Sequence, residues 1–237
     1  MDNSAHRNYR YIKVHPIAGA IGAEIQGVNL AEPLKAEVVE EMCLAFLDHL
    51  AIFFTNQELT PHQQLAFAKQ FGQIMEYPLL EGLPECPQIT PVVKLEHEGA
   101  NFGGLWHSDT TYLERPPMGS ILYAVEIPPY GGDTLFANQY MAYETLSEGL
   151  KETLEGLVGI NTSSKAHAFI SNASLEQEVI VGAHPVVRTH PETGRKALYV
   201  NINHTKHFQG WTVAESRPLL GYLFEYQVRP EFTCRFR

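Results

Sequence analysis

The sequence predicts a mainly β chain with flanking helices, an α+β domain, and three observations predict it. Short alternating apolar runs recur between Gly- and Pro-rich turns, helical periodicity is confined to a few blocks, and no regular strand–helix–strand alternation is present. An antiparallel barrel or sandwich with its helices outside satisfies all three. At 237 residues the chain is long enough to bury one large core, and it reads as a single domain over residues 1–237.

Tyr9 to Asn29 alternates and carries Gly19, Gly22 and Gly27, which predicts short strands joined by tight turns. Leu34, Val38, Val39, Met42, Ala45 and Phe46 recur at helical spacing, with Lys35, Glu37, Glu40 and Glu41 turned outward, so a helix runs from Leu34 to His49. Ala51 to Phe54 is a short buried strand. Thr60-Pro61-His62-Gln63 has the form of a capping box that opens a helix ending near Phe71, before Gly72.

Tyr77 to Gly104 is rich in Pro, Gly and Glu and reads as a surface loop with one strand candidate, Ile89 to Leu95. Strands are expected over Gly104 to Thr111, Gly119 to Glu126 and Thr134 to Ala137, and a helical block from Gln139 to about Leu157. Asn161 to Gly182, polar and weakly periodic, reads as a second site-covering loop. His184 to Thr189 and Lys196 to Val200 form two strands about a turn at Pro191 to Gly194. Thr212 and Glu215 cap a last helix that ends near Val228, before a final strand from Glu231 to Arg237.

Seventeen Lys and Arg against 27 Asp and Glu give a formal charge of -10, with no basic run. A phosphate-tracking surface for nucleic acid or an anionic membrane is thereby disfavoured, and a small-molecule partner is expected, with a homo-oligomer left open. Cys43, Cys86 and Cys234 are odd in number and widely spaced, which indicates free thiols rather than a disulfide framework or zinc knuckle. The first residues lack the apolar core of a signal peptide, and no apolar stretch is long enough to span a bilayer, so a cytoplasmic location is expected.

The chemistry-bearing segment is Trp106-His107-Ser108-Asp109. On a strand, His107 and Asp109 point to one side and can grip one metal ion; with a second imidazole they make the facial triad of non-haem Fe(II) oxygenases. A second segment, Gly131-Gly132-Asp133-Thr134, pairs a sharp turn with a hydroxyl able to donate to a bound carboxylate.

WHSDTTY, then Pro116-Pro117-Met118-Gly119, then PPYGGDT and HPVVRTHPETGRKALYVN, in this order and spacing, resemble the taurine/2,4-dichlorophenoxyacetate (TauD/TfdA) family of Fe(II)/2-oxoglutarate dioxygenases. Upstream, IGAEIQGVNL, AIFFTNQELTP and QQLAFAKQFGQI are similar to that family's N-terminal strands and helix, so the resemblance covers nearly the whole chain.

The resemblance implies a double-stranded β-helix (jelly-roll) core, with His107 and Asp109 as two of three iron ligands and Thr134 on the 2-oxoglutarate carboxylate. Fe(II), 2-oxoglutarate and O2 are the implied cofactor and co-substrates, and hydroxylation of a small organic acid, with release of succinate and CO2, is the implied reaction. It also implies a third ligand His and a 2-oxoglutarate-pairing Arg after the last strand. Neither follows here, so the chain reads as lacking its last strands, and a non-catalytic jelly-roll binding protein is the competing reading.

Taurine-type members carry a His where Tyr77 stands and an Asn where Gly103 stands, which disfavours taurine. Tyr77, Phe102, Leu105 and Tyr112 suit a larger, more apolar acid. His204 and His207 are better placed for substrate contacts than for iron and stay unassigned.

Overall fold

In the computed structural model the described residues are 7–97, 99, 101–164 and 179–237. The chain enters through β1 (Lys13–Pro16) and β2 (Ala23–Gln26), passes into α1 (Ala36–His49), and continues through β3 (Ile52–Phe53) to α2 (Pro61–Ala68). β1 and β2 pair antiparallel, and β3 adds to β2 in parallel. One face of α1 and α2 buries Met42, Ala45 and Phe67 against Ile12 and Ile25 of this small sheet. α2 starts where the sequence predicts, because the Thr60 side chain accepts from the Gln63 backbone N–H while Gln63 reaches back to that of Thr60.

After a long irregular stretch come β4 (Thr134–Ala137), α3 (Gln139–Glu144), α4 (Glu148–Leu154) and β5 (Val158–Thr162). Beyond residues 165–178 the chain resumes in β6 (Val181–Pro185), β7 (Val187–Thr189), β8 (Lys196–Leu198), β9 (Thr205–Phe208), α5 (Val213–Tyr226), a 3-10 turn (Pro230–Phe232) and β10 (Thr233–Phe236). β5 is the centre of an antiparallel sheet ordered β6-β5-β9; β7 pairs with β8, and β10 returns to pair with β4.

The largest apolar core lies under this second half, where Leu154, Val186, Leu198, Phe208 and Leu223 are at most 1% exposed. A third cluster joins the halves: Phe53 of β3 stacks on Phe236 of β10 at 4.0 Å and meets Phe136 of β4 edge-on.

Several expectations are corrected. Ile89–Leu95, Gly104–Thr111 and Gly119–Glu126 form no strands, because among the described residues none of them finds a ladder partner, and a strand exists only through its ladder. The expected helix over Gln139 to Leu157 is two helices. Asn138 and Ser147 each cap a separate start, and the Thr145 hydroxyl folds back onto the Met141 carbonyl at the break.

The loop expected over Asn161 to Gly182 is strand at both ends, and residues 165–178 lie outside the described residues. The final strand begins at Thr233 after the 3-10 turn rather than at Glu231. Among the described residues no helix is long and apolar enough to cross a membrane.

Candidate metal and substrate site

His107 and Asp109 meet beside a turn. Leu113 N–H donates to the Thr110 carbonyl at 2.9 Å, and Thr110 takes a left-handed φ of +50°, which closes the chain on itself directly after Asp109. His107 Nε2 lies 3.2 Å from Asp109 Oδ1, the pair standing in irregular chain just before this turn rather than on the expected strand.

The other ring nitrogen decides the tautomer. His107 Nδ1 lies 2.7 Å from the Leu105 carbonyl, an obligatory acceptor, so Nδ1 carries the hydrogen and in the neutral ring Nε2 presents its lone pair. Ser120 Oγ donates to Asp109 Oδ2 at 2.5 Å, leaving Oδ1 to face that lone pair. Two electron-pair donors opposed at this distance need a cation between them, either a proton or a metal ion. Metal ligands are commonly fixed this way, by a carbonyl behind the histidine and a donor on the spare carboxylate oxygen.

The electrostatics agree. The hydrogen bond to Asp109 raises the His107 imidazole above its ordinary value despite burial, and His107, helped by Ser120 and His204, lowers the Asp109 carboxyl in return. The two side chains stay open to solvent, at 30% and 48% exposure, so an ion can reach them. The pair fits two positions of a divalent metal; among the described residues no third His, Cys, Asp or Glu completes a cluster with them.

A pocket opens over the pair, lined also by Tyr77, Phe102, Leu105, Thr110, Asn203 and His204. The turn that carries Asn203 and His204 is held by buried polar groups. Asn201 Nδ2 donates to Thr111 Oγ1, the Thr205 hydroxyl donates to Asn161 Oδ1 at 2.7 Å, and the His204 backbone N–H donates to Asn201 Oδ1 at 2.8 Å. Thr111, Asn161, Asn201 and Thr205 thus tie the turn after Thr110 to β5 and β9. Gly182 of β6 allows the closest approach, since a Cβ there would stand 2.7 Å from the Tyr112 carbonyl carbon.

Tyr77 and Phe102 line the pocket as expected and meet edge-on at 6.5 Å. Tyr112 lies beneath it instead. It is fully buried, its ring packs edge-on against His204 at 5.0 Å, and its hydroxyl donates to Tyr77. Burial and that contact push the Tyr112 phenol well up, so it stays neutral. Thr134 opens β4 opposite Phe236, is exposed, and is not among the residues lining this pocket. Gly131 and Gly132 take φ of +76° and +75°, the sharp turn expected before it. His207 is half-buried and hydrogen-bonds at Nδ1 to the Phe208 carbonyl. Sequence reasoning did not single out Thr110, although it lies within WHSDTTY, or Asn203, which lies outside the motifs; both line the pocket.

The family described as "Taurine catabolism dioxygenase TauD, TfdA family" matches residues 13–237. An alpha-ketoglutarate-dependent sulfate ester dioxygenase of Pseudomonas putida is 35% identical over 238 residues, covering 95% of this chain and 78% of that protein. The alpha-ketoglutarate-dependent 2,4-dichlorophenoxyacetate dioxygenase of Cupriavidus pinatubonensis is 30% identical over 246 residues, covering 95% and 85%. Among solved structures, a taurine dioxygenase from Burkholderia xenovorans superposes with a TM-score of 0.80 at 38% identity, covering 96% of this chain and 76% of that one. AAD-2 in complex with Mn(II) and N-oxalylglycine superposes with a TM-score of 0.75 at 26% identity, covering 95% and 83%.

Proposed function

Because the chain belongs to the TauD/TfdA family of Fe(II)- and 2-oxoglutarate-dependent dioxygenases, we propose that it hydroxylates a small organic acid in the pocket over His107 and Asp109. The observation that carries the reading is the opposed pair itself, with the His107 lone pair and Asp109 Oδ1 aimed at one point and each braced from behind. The mixed α+β fold is taken as part of a double-stranded β-helix, a reading supported by its likeness to the taurine dioxygenase.

His107 Nε2 and Asp109 Oδ1 would hold Fe(II), and the binding of Mn(II) and N-oxalylglycine by AAD-2 supports a metal and an oxo-acid in one site. Bound there, the metal supplies the chemistry by which 2-oxoglutarate and O2 become succinate and CO2, the second oxygen atom entering a substrate C–H bond. The protein's own residues orient and exclude. The Leu105 carbonyl fixes the imidazole tautomer, and Ser120 fixes the carboxylate rotamer. Tyr77, Phe102 and Leu105 give the substrate an apolar wall that keeps water from the reacting carbon. Thr134 is assigned, on its place in the Gly-Gly-Asp-Thr motif, to a carboxylate of 2-oxoglutarate. The sulfate ester dioxygenase and the 2,4-dichlorophenoxyacetate dioxygenase among its relatives support an anionic, largely apolar substrate.

The test is succinate release from 2-oxoglutarate by the purified protein with and without Fe(II), alongside calorimetric titration with Mn(II). Fe(II)-dependent succinate and Mn(II) binding are expected, and Asp109→Ala should abolish both. Turnover retained in that variant overturns the ligand assignment, and metal-independent behaviour throughout favours a binding protein.

A further inference from the structure

Two residues of the pocket lining each carry a buried polar atom that nothing among the described residues satisfies. Thr110 is 3% exposed, and its hydroxyl is buried without a hydrogen-bond partner; the Asn203 carboxamide oxygen is likewise buried and unpartnered. Both residues line the pocket that contains His107 and Asp109. Leaving such atoms unpaired destabilises a folded chain, so native proteins retain them where a ligand or a water completes the set.

The backbone singles out the same residue. Thr110 holds a φ of +50°, a left-handed conformation rare for a β-branched side chain. Strain of this kind gathers at sites of function.

Hydrogen-bond logic sets the polarity of the pair. His204 Nδ1 faces the Thr162 carbonyl at 3.2 Å and therefore carries a hydrogen, which leaves Nε2 an acceptor in the neutral ring. Asn203 Nδ2 lies 3.3 Å from that Nε2 and donates to it, so Oδ1 is the end of the amide turned to the unpartnered position. Two residues of the pocket lining thus carry an amide oxygen that lacks a donor and a hydroxyl that gives or takes a hydrogen. A carboxylate, sulfate or plain hydrocarbon supplies no donor to Asn203. An alcohol, an amine or an amide N–H does.

We infer that Thr110 and Asn203 form a donor–acceptor subsite that selects organic acids carrying a hydroxyl, amino or amide group away from the acid. This rests on the dioxygenase reading for the identity of the pocket and deepens it by naming the substrate class. Both residues act in specificity, and neither is assigned to the metal.

The experiment uses matched probes: short aliphatic and phenoxyalkanoic acids, each beside its hydroxy and amino analogue. Binding to the protein in the presence of Mn(II) and 2-oxoglutarate is measured by calorimetry, and Fe(II)-dependent succinate release is followed in parallel. The donor-bearing member of a pair should bind roughly tenfold to hundredfold more tightly. Thr110→Val keeps the shape and the β-branch and removes the hydroxyl, and Asn203→Leu removes the amide; each should bring that ratio close to one. Thr110→Ser should retain it.

Using a ratio within each variant cancels general losses, and thermal unfolding identifies a variant that fails to fold, in which case Thr110→Ser against Thr110→Val decides. Equal binding of matched probes, binding of neither member, or a preference surviving in both variants overturns the subsite, because water then satisfies the two atoms. A preference without Fe(II)-dependent succinate overturns the dioxygenase reading and leaves the subsite standing.

Discussion

At the scale of single residues, the site depends on which hydrogen bond each atom has already made. The Leu105 carbonyl occupies one nitrogen of His107 and Ser120 one oxygen of Asp109, so the remaining lone pairs face each other and compete for a proton or a metal. Because Asp109 raises His107 above its ordinary 6.5, the proton is the stronger competitor as pH falls. Metal affinity should therefore decline about tenfold per pH unit below the raised value and level off above it. Mn(II) titrations across the neutral range read this directly. An affinity independent of pH between about 6 and 8 would separate the metal from this histidine.

His-x-Asp pointed to this pair only together with the motifs around it, and it did not give the geometry. Same-side strand geometry is one route to convergence, and irregular chain just before a turn is another that sequence spacing does not distinguish. Thr110 stood inside the WHSDTTY motif without being singled out and Asn203 lay outside every motif, since what sets both apart is a buried polar atom that folding leaves without a partner.

Elements with local causes read well, and those with distant partners did not. Thr60 with Gln63 and Thr212 with Glu215 write two helix starts into four residues each, and both capping boxes are formed. β5 is the opposite case. It is buried between β6 and β9, and its Asn161 is polar because it serves the network behind the site while Thr162 pairs with the Ser164 hydroxyl, so the segment reads as loop. Gly119–Glu126 failed the other way: it has the composition of a strand, yet Leu122 and Val125 are 77% and 87% exposed and the segment has no ladder among the described residues.

β6 also sets a sharp requirement. The backbone carbonyls of Thr111 and Tyr112 sit where a side chain at position 182 would project, and backbone cannot swing aside as a flexible side chain can. Gly182→Ala should destabilise the protein by about 1–3 kcal/mol and push the Thr110–Tyr112 turn off the pocket, so that Mn(II) binding weakens as well. Urea unfolding and metal titration of the one variant check both halves. A loss of stability with intact metal binding would show that the turn is braced elsewhere.

Across the whole molecule, acid is the condition to which this fold is most exposed. Among the described residues four carboxyls sit below their ordinary values: Glu24 through Thr55 and Gln26, Asp109 through His107 and Ser120, Glu215 through Thr212, and Glu41. At Glu41 burial acts upward, but the backbone N–H groups of Arg10, Tyr11 and Ile12, at 2.7, 2.8 and 3.2 Å, outweigh it. That carboxylate fastens the entering chain to α1. A group depressed in the folded state stabilises it above the unfolded value, near 4.5 for Glu41, and loses that contribution as pH falls through the folded value. Glu41→Gln should cost about 1 kcal/mol at neutral pH and converge on the parent below that window, which thermal melts from pH about 7 to 3 would display.

The left-handed backbone at Thr110 has a consequence on the timescale of descent. Glycine would adopt that φ without the steric cost a β-branched side chain meets there. On the proposed subsite, what holds threonine at this position is its hydroxyl. Position 110 therefore works as a gauge of constraint: a descendant that had abandoned this substrate would be free to relax there first, gaining robustness at the moment it lost its chemical preference.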